Sequence, residues 1–130
     1  MYESVTQGIV VRVQPDFLEG ESTPEENRYF WSYRVEIENR TGESVQLMTR
    51  EWRITDARGR TRIVKGEGVV GEQPVIRPGE RFTYTSGAPL ETSSGFMSGF
   101  YGMKISDGTP FLATIPAFAL DYPFDNTTLH

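Results

Sequence analysis

Three glycines at the spacing G-x-G-x-x-G, Gly66, Gly68 and Gly71, follow directly on a run of cations. Arg50, Arg53, Arg58, Arg60, Arg62 and Lys65 lie just ahead of them, opposed only by Glu51 and Asp56. Glycine loops can present successive backbone N–H groups to an anion, and arginine forks match phosphate oxygens. A candidate anion site therefore comprises Gly66, Gly68, Gly71, Arg60, Arg62 and Lys65. A dinucleotide site is excluded, because that use needs a helix opening inside the motif, and Pro74 and Pro78 follow too closely. A Walker loop is excluded too, since no Gly-Lys-Ser/Thr follows. The bland alternative is a glycine-rich connection between strands beside an edge kept soluble by charge.

The rest of the chemistry is sparse. The one histidine is His130 and there is no cysteine, so no thiolate nucleophile, disulfide framework or Cys- or His-rich metal site is available. Only carboxylates remain, and none falls at a recognised catalytic or metal-ligand spacing. No catalytic residue, no metal site and no cofactor is assigned, and a non-enzyme is expected. The net charge of −5 argues against wholesale nucleic-acid binding.

The elements that must position this loop are strands. Val5, Ile9, Val11 and Val13 share a parity and predict one strand from Ser4 to Gln14. Pro15 to Asn27, with Asp16, Glu19, Glu21, Glu25 and Glu26, reads as a solvated mobile loop without EF-hand spacing. Arg28 to Asn39 alternates most clearly, with Tyr29, Trp31, Tyr33, Val35 and Ile37 on one face. Asn39-Arg-Thr-Gly42 turns the chain into Ser44 to Thr55, where Met48, Trp52 and Ile54 have one parity and Val45 and Leu47 the other. Asp56-Ala-Arg-Gly59 turns into Thr61 to Lys65.

Beyond the loop, Gln73 to Glu80 is an extended connection ending in Pro78-Gly79. Arg81 to Ser86 is a strand with Phe82 and Tyr84 inward, and Gly87 to Ser94 a polar turn region. Gly95 to Ile105 alternates again, its Gly95, Gly99 and Gly102 pointing to a bulge or a close backbone approach. Phe111 to Tyr122 is the last strand, with Pro116 at an edge or bulge, and 123–130 is expected to be a flexible tail. About seven or eight strands without helical periodicity predict one all-β domain, an antiparallel sandwich. No basic-then-apolar leader and no membrane-length apolar run is visible, so a soluble protein without a signal peptide is expected.

Gly66-Glu-Gly-Val-Val-Gly-Glu-Gln-Pro74, Pro78-Gly79, Phe82-Thr-Tyr-Thr-Ser-Gly87, Pro89-Leu90 and Gly95-Phe-Met-Ser-Gly-Phe-Tyr-Gly-Met103 together resemble the ApaG domain. The resemblance spans nearly the whole chain. It implies an immunoglobulin- or fibronectin type III-like sandwich in a bacterial cytoplasmic protein. It also implies an involvement in cobalt resistance and magnesium efflux, which a chain without a membrane span would exert indirectly. The family label is associated with diadenosine tetraphosphate hydrolase without implying that activity. Related domains in eukaryotic F-box proteins and a polymerase-delta-interacting protein imply protein binding. The glycine motif is suggested to bind pyrophosphate or nucleotide, here at Gly66, Gly68 and Gly71. The expected function is a non-enzymatic binding module for an unknown protein partner. The alternative is a pyrophosphate or nucleotide sensor, with a phosphohydrolase behind both. Neither nucleic acid nor a membrane is an expected partner, and an edge strand could pair two copies.

Overall fold

The computed structural model describes residues 1–124. Its elements are β1 (Tyr2–Thr6), β2 (Ile9–Phe17), β3 (Tyr29–Asn39), β4 (Val45–Asp56), β5 (Thr61–Glu67), β6 (Val75–Ile76), β7 (Arg81–Leu90), β8 (Ser94–Ile105) and β9 (Pro110–Asp121). Two short 3₁₀ turns, Glu19–Glu21 and Pro24–Glu26, stand between β2 and β3. One sheet has the order β1-β2-β3-β7. The other runs β5-β4-β8-β9, with β6 pairing the start of β4. All pairings are antiparallel, and the inward faces of both sheets merge into one core. Among the described residues no helix is long and apolar enough to cross a membrane.

Alternation builds this core as expected. Tyr29, Trp31, Tyr33, Val35 and Ile37 of β3 are all buried, facing Trp52, Met97, Tyr101 and Phe118 of the opposite sheet. Burial of such side chains stabilises by roughly 1.5–3 kcal/mol each. The glycines of β8 mark close approaches. A Cβ on Gly99 would lie 2.1 Å from the Glu51 carbonyl oxygen, and one on Gly102 would lie 2.2 Å from Thr49 Oγ1. Pro116 meets both of its expected conditions, since it sits on the edge strand β9 where the register with β8 slips between Met97 and Gly99.

Four expectations are corrected. The single strand from Ser4 to Gln14 is a hairpin, because Gln7 and Gly8 both take positive φ, 48° and 80°, and reverse the chain. That pair of left-handed residues is the two-residue turn whose twist suits a hairpin. Val5 keeps the apolar parity yet is 58 % exposed. The acidic stretch is not a loose loop. Pro15 to Phe17 continue β2, and Ser22 Oγ ties the turns by donating to Leu18 O at 2.7 Å and accepting from Phe30 N at 2.9 Å. The turn region assigned to Gly87–Ser94 is β-strand through Leu90, paired with β3. The strands number nine among the described residues, the extra ones being β1 and the two-residue β6. Of the expected tail, Phe124 packs against Phe17 and Tyr122, and 125–130 lie outside the described residues.

The change of apolar parity along β4 has a structural cause. Met48 is an extra residue opposite β8, so the register slips between Leu47 and Thr49. Val45 and Leu47 face inward before the bulge, and Trp52 and Ile54 after it. Buried Asn39 pins β3 to the other sheet, its Nδ2 donating to Ile76 O at 2.9 Å and Glu43 O at 2.8 Å while Oδ1 accepts from Thr41 N and Oγ1.

The outer face of the first sheet is held by ions. Arg12 bridges Glu3, Glu36 and Glu38 at 2.8–2.9 Å, and Glu38 also meets Arg40 at 3.0 Å. Hydrogen bonds from Arg12 and then Arg40 depress the Glu38 carboxyl from 4.5 to about 2. A folded-state value below the unfolded one means that the stabilisation is complete above pH 4.5 and is lost as pH falls through about 2. Glu38→Gln is therefore expected to lower the melting temperature at neutral pH, with the difference from the parent shrinking toward pH 2. Thermal melts across that range check this.

Candidate functional site

The glycine motif lies where the second sheet opens toward the first. β5 runs along the late half of β4, β6 along its start, and residues 68–74 make the excursion between them across the Met48 bulge. Gly68 N donates to Met48 O at 2.9 Å, and the chain rejoins β4 where Leu47 N donates to Pro74 O at 3.0 Å. Val69 and Glu72 exchange N–H···O bonds of 2.8 and 2.9 Å around a tight turn at Val70 and Gly71. Val69 is buried and plugs the end of the core.

Each glycine has its own reason. A Cβ on Gly66 would meet the Arg50 guanidinium at 2.7 Å. Gly68 has φ +61° and no room, with Glu72 O only 2.1 Å from a Cβ placed there. Gly71 has φ +80° in open space, completing the turn begun by Val70 at φ 44°. A β-branched residue in that region is strained.

Arg50 is the centre of the arrangement. The Met48 bulge puts it on the inward parity with Trp52 and Ile54. Its guanidinium lies over Gly66, and Nη1 donates to Glu67 O at 3.0 Å and Gly68 O at 2.9 Å. Its sequence neighbour Glu51 faces the other way, bound to Arg53 at 3.3 Å and Lys65 at 3.5 Å. Among the described residues no carboxylate pairs with Arg50, although its side chain is half-buried. A cavity of about 220 Å³ opens beside it, lined by Tyr33, Arg50, Trp52, Val69, Val70, Gly71, Tyr84 and Ser86.

The tyrosines at this cavity are donors. Burial pushes the Tyr33 hydroxyl up, and pushes Tyr84 up further. Tyr84 shares a short hydrogen bond with Tyr101, itself raised by burial. Arg50 works against burial at all three by favouring the phenolate. At neutral pH these groups stay protonated.

The six residues expected to hold an anion do not form one site. The β4–β5 ladder is hydrogen-bonded at Asp56–Arg60 and again at Met48–Gly68, so alternation places Gly66 in a bonded pair with Arg50. The Gly66 and Gly68 amides are thus committed to β4. Among the described residues the Val70 and Gly71 N–H groups have no protein acceptor, and both residues line the cavity. Arg60 and Arg62 line a separate depression with Ile54, Asp56, Pro89, Leu90 and Glu91. Arg62 and Gly66 are about 13 Å apart along the strand. Lys65 has the opposite parity and meets Glu51 on the outer face. Arg50, Tyr33, Tyr84 and Ser86 escaped sequence reasoning because three lie in distant strands with core periodicity. For Arg50 the one signal was its place in the cationic run. No group of three or more His, Asp or Glu side chains among the described residues is placed to hold a metal.

A family model described as the ApaG domain matches residues 19–105. The chain belongs to the ApaG family. It is similar to the Protein ApaG of Maricaulis maris, 60 % identical over 130 residues and covering all of both chains. The Protein ApaG of Rhodospirillum centenum is 58 % identical over 123 residues, 95 % of each chain. Among solved structures, a putative ApaA protein from Bordetella pertussis superposes with a TM-score of 0.87 at 40 % identity, covering 90 % of this chain and 95 % of that one. The C-terminal domain of wzt, at 12 % identity and TM-score 0.56, shares the fold alone, covering 92 % and 76 %. The three motif glycines thus have separate structural uses here: Gly66 leaves room for Arg50, Gly68 for the Glu72 carbonyl, and Gly71 takes the left-handed turn position.

Substitution should rank the three glycines. Gly68→Ala is expected to cost roughly 1–3 kcal/mol, because a rigid carbonyl blocks the Cβ and φ is positive. Gly71→Ala is expected to cost about 1 kcal/mol from φ alone. Gly66→Ala is expected to cost least, since the group it meets is the end of a flexible side chain. Urea unfolding of the three variants checks the order.

Proposed function

We propose that the protein is a non-catalytic binding module that holds a compact anion, a phosphate or the phosphoryl group of a pyrophosphate or nucleotide, on the open side of its sandwich. The observation that carries this is Arg50, a half-buried cation with no carboxylate partner among the described residues, facing a cavity of about 220 Å³. An arginine so placed is desolvated without a counter-ion, and an incoming oxyanion supplies one. Its Nη1 is held by two carbonyls, which fixes the plane of the fork before a ligand arrives. Tyr33, Tyr84 and Ser86 offer hydroxyls, and Val70 and Gly71 offer amides, at the same wall. Tyrosines raised by burial donate hydrogen bonds and do not take up protons, which supports binding over turnover.

A second reading, recognition of a protein partner, is favoured by the outer face of the second sheet. Phe96 is 49 % and Leu112 57 % exposed there, on the neighbouring strands β8 and β9. A part in cobalt resistance or magnesium efflux enters either reading as an indirect effect, through the bound anion or the partner. A cytoplasmic setting, with neither nucleic acid nor membrane as partner, belongs to the same proposal.

The test is an amide NMR titration with inorganic phosphate, pyrophosphate and ATP. Saturable shifts are expected at Val70, Gly71 and Arg50, weakened at least about tenfold, or 1.4 kcal/mol, by Arg50→Lys. Lys65→Gln is expected to leave them unchanged. Shifts that instead follow Arg60, Arg62 and Lys65, or none at millimolar ligand, would overturn the proposal.

A further inference from the structure

Among the described residues the edges of the sandwich are sealed to different degrees, and β5 is the long edge with no seal. At the β1–β9 side, Ser4 Oγ donates to Thr114 O, Thr114 N donates to Thr6 Oγ1 at 3.0 Å, and β9 contains Pro110 and Pro116. The other edge of the first sheet, β7, carries Pro89. Proline and side-chain seals of this kind keep edges from pairing. β5 has neither. It pairs with β4 on one side, contains no proline, and every one of its residues is exposed except half-buried Gly66. Ile63 is 53 % and Val64 36 % exposed, on opposite faces of the strand.

The ladder tells which backbone groups are free. Arg60 O accepts from Asp56 N at 3.0 Å, and Gly68 N donates to Met48 O at 2.9 Å. Bonded pairs alternate with non-bonded ones, so Arg60, Arg62, Val64, Gly66 and Gly68 face β4. Thr55 Oγ1 and Thr61 Oγ1 meet at 2.9 Å, the close side-chain approach of a non-bonded pair. Thr61, Ile63 and Lys65 therefore turn their N–H and C=O groups outward in a row, while the Glu67 carbonyl is already taken by Arg50 Nη1.

The charge on this edge selects its occupant. Arg60, Arg62 and Lys65 flank or line the strand, with Arg58 in the turn before it and Glu67 the strand's one acidic residue. A second copy brings the same net-positive edge and so supplies no charge complement. An acidic extended segment gains both the ladder and the charge complement. We infer that β5 is a strand-addition site for an extended acidic peptide segment of a partner protein, paired to the outward groups of Thr61, Ile63 and Lys65. This deepens the protein-partner reading and stands apart from the Arg50 cavity.

The probes are two capped ten-residue peptides, alternating Glu-Val and alternating Lys-Val, with amide hydrogen exchange read by NMR on the full chain. The Glu-Val peptide is expected to slow exchange of the Ile63 and Lys65 amides by roughly tenfold or more, and to leave Arg62 and Val64, already bonded to β4, unchanged. The Lys-Val peptide is expected to do nothing. Ile63→Pro removes an outward N–H and none that bonds β4, and is expected to abolish the protection. Should that variant not fold, Arg62→Glu/Lys65→Glu is expected to reverse the peptide preference. Unchanged exchange with both peptides at millimolar concentration would overturn the inference, as would protection that survives Ile63→Pro. Protection of the same amides that rises with protein concentration alone would replace the acidic segment by a second copy. Effects confined to Phe96 and Leu112 would refute strand addition and keep the partner reading on the outer face.

Discussion

The two bonds from Arg50 Nη1 to the carbonyls of Glu67 and Gly68 organise the open side of the sandwich. They join the middle of β4 to the point where the chain leaves β5, and they require Gly66 to have no side chain. They also depend on the Met48 bulge, which turns Arg50 onto the inward parity. Were β4 regular through Met48, Arg50 would take the outward parity of Gln46. A guanidinium held on one edge by carbonyls keeps its other groups available, and its positive charge is answered by dipoles and not by a carboxylate. The strained Val70 turn and the plug at Val69 complete the wall that faces it.

Much of the fold was legible because alternation is a strong signal where one face is buried. β3 carries five large inward residues in strict order, and its range was off by a single residue at the start. The misses have separate causes, the first being that parity survives a local reversal. Val5 has the parity of Ile9 through Val13, so the Gln7-Gly8 turn was hidden inside what read as one strand. The β4 bulge showed itself as a change of parity, yet only the partner strand reveals which residue is extra. The segment before β3 was read by its charge, and the side chain of Ser22, which holds it, has no compositional weight.

The candidate site was half legible for a different reason. G-x-G-x-x-G was visible, and so was the cationic run before it. What spacing cannot convey is which side of a ladder each amide takes, and here two of the three glycine amides face β4. Nor can it bring Tyr33, Tyr84 and Ser86, from β3 and β7, to the same cavity as Gly71. Arg62 shares a strand with Lys65 but not a face, and Arg60 precedes that strand. The family resemblance carried the fold surely and the chemistry less far, because the glycines serve the backbone and an arginine before they could serve a ligand.

One measurement bears most directly on Arg50 as an anion-ready, pre-fixed cation. The Nε–H and Nη–H resonances of Arg50 can be followed by ¹⁵N NMR of the free protein and during addition of inorganic phosphate. The account predicts slowed rotation of the guanidinium before ligand is added, lost in Gly66→Ala, and a saturable shift of the same resonances with phosphate. A freely rotating Arg50 in the free protein, or resonances indifferent to phosphate at millimolar concentration, would contradict it.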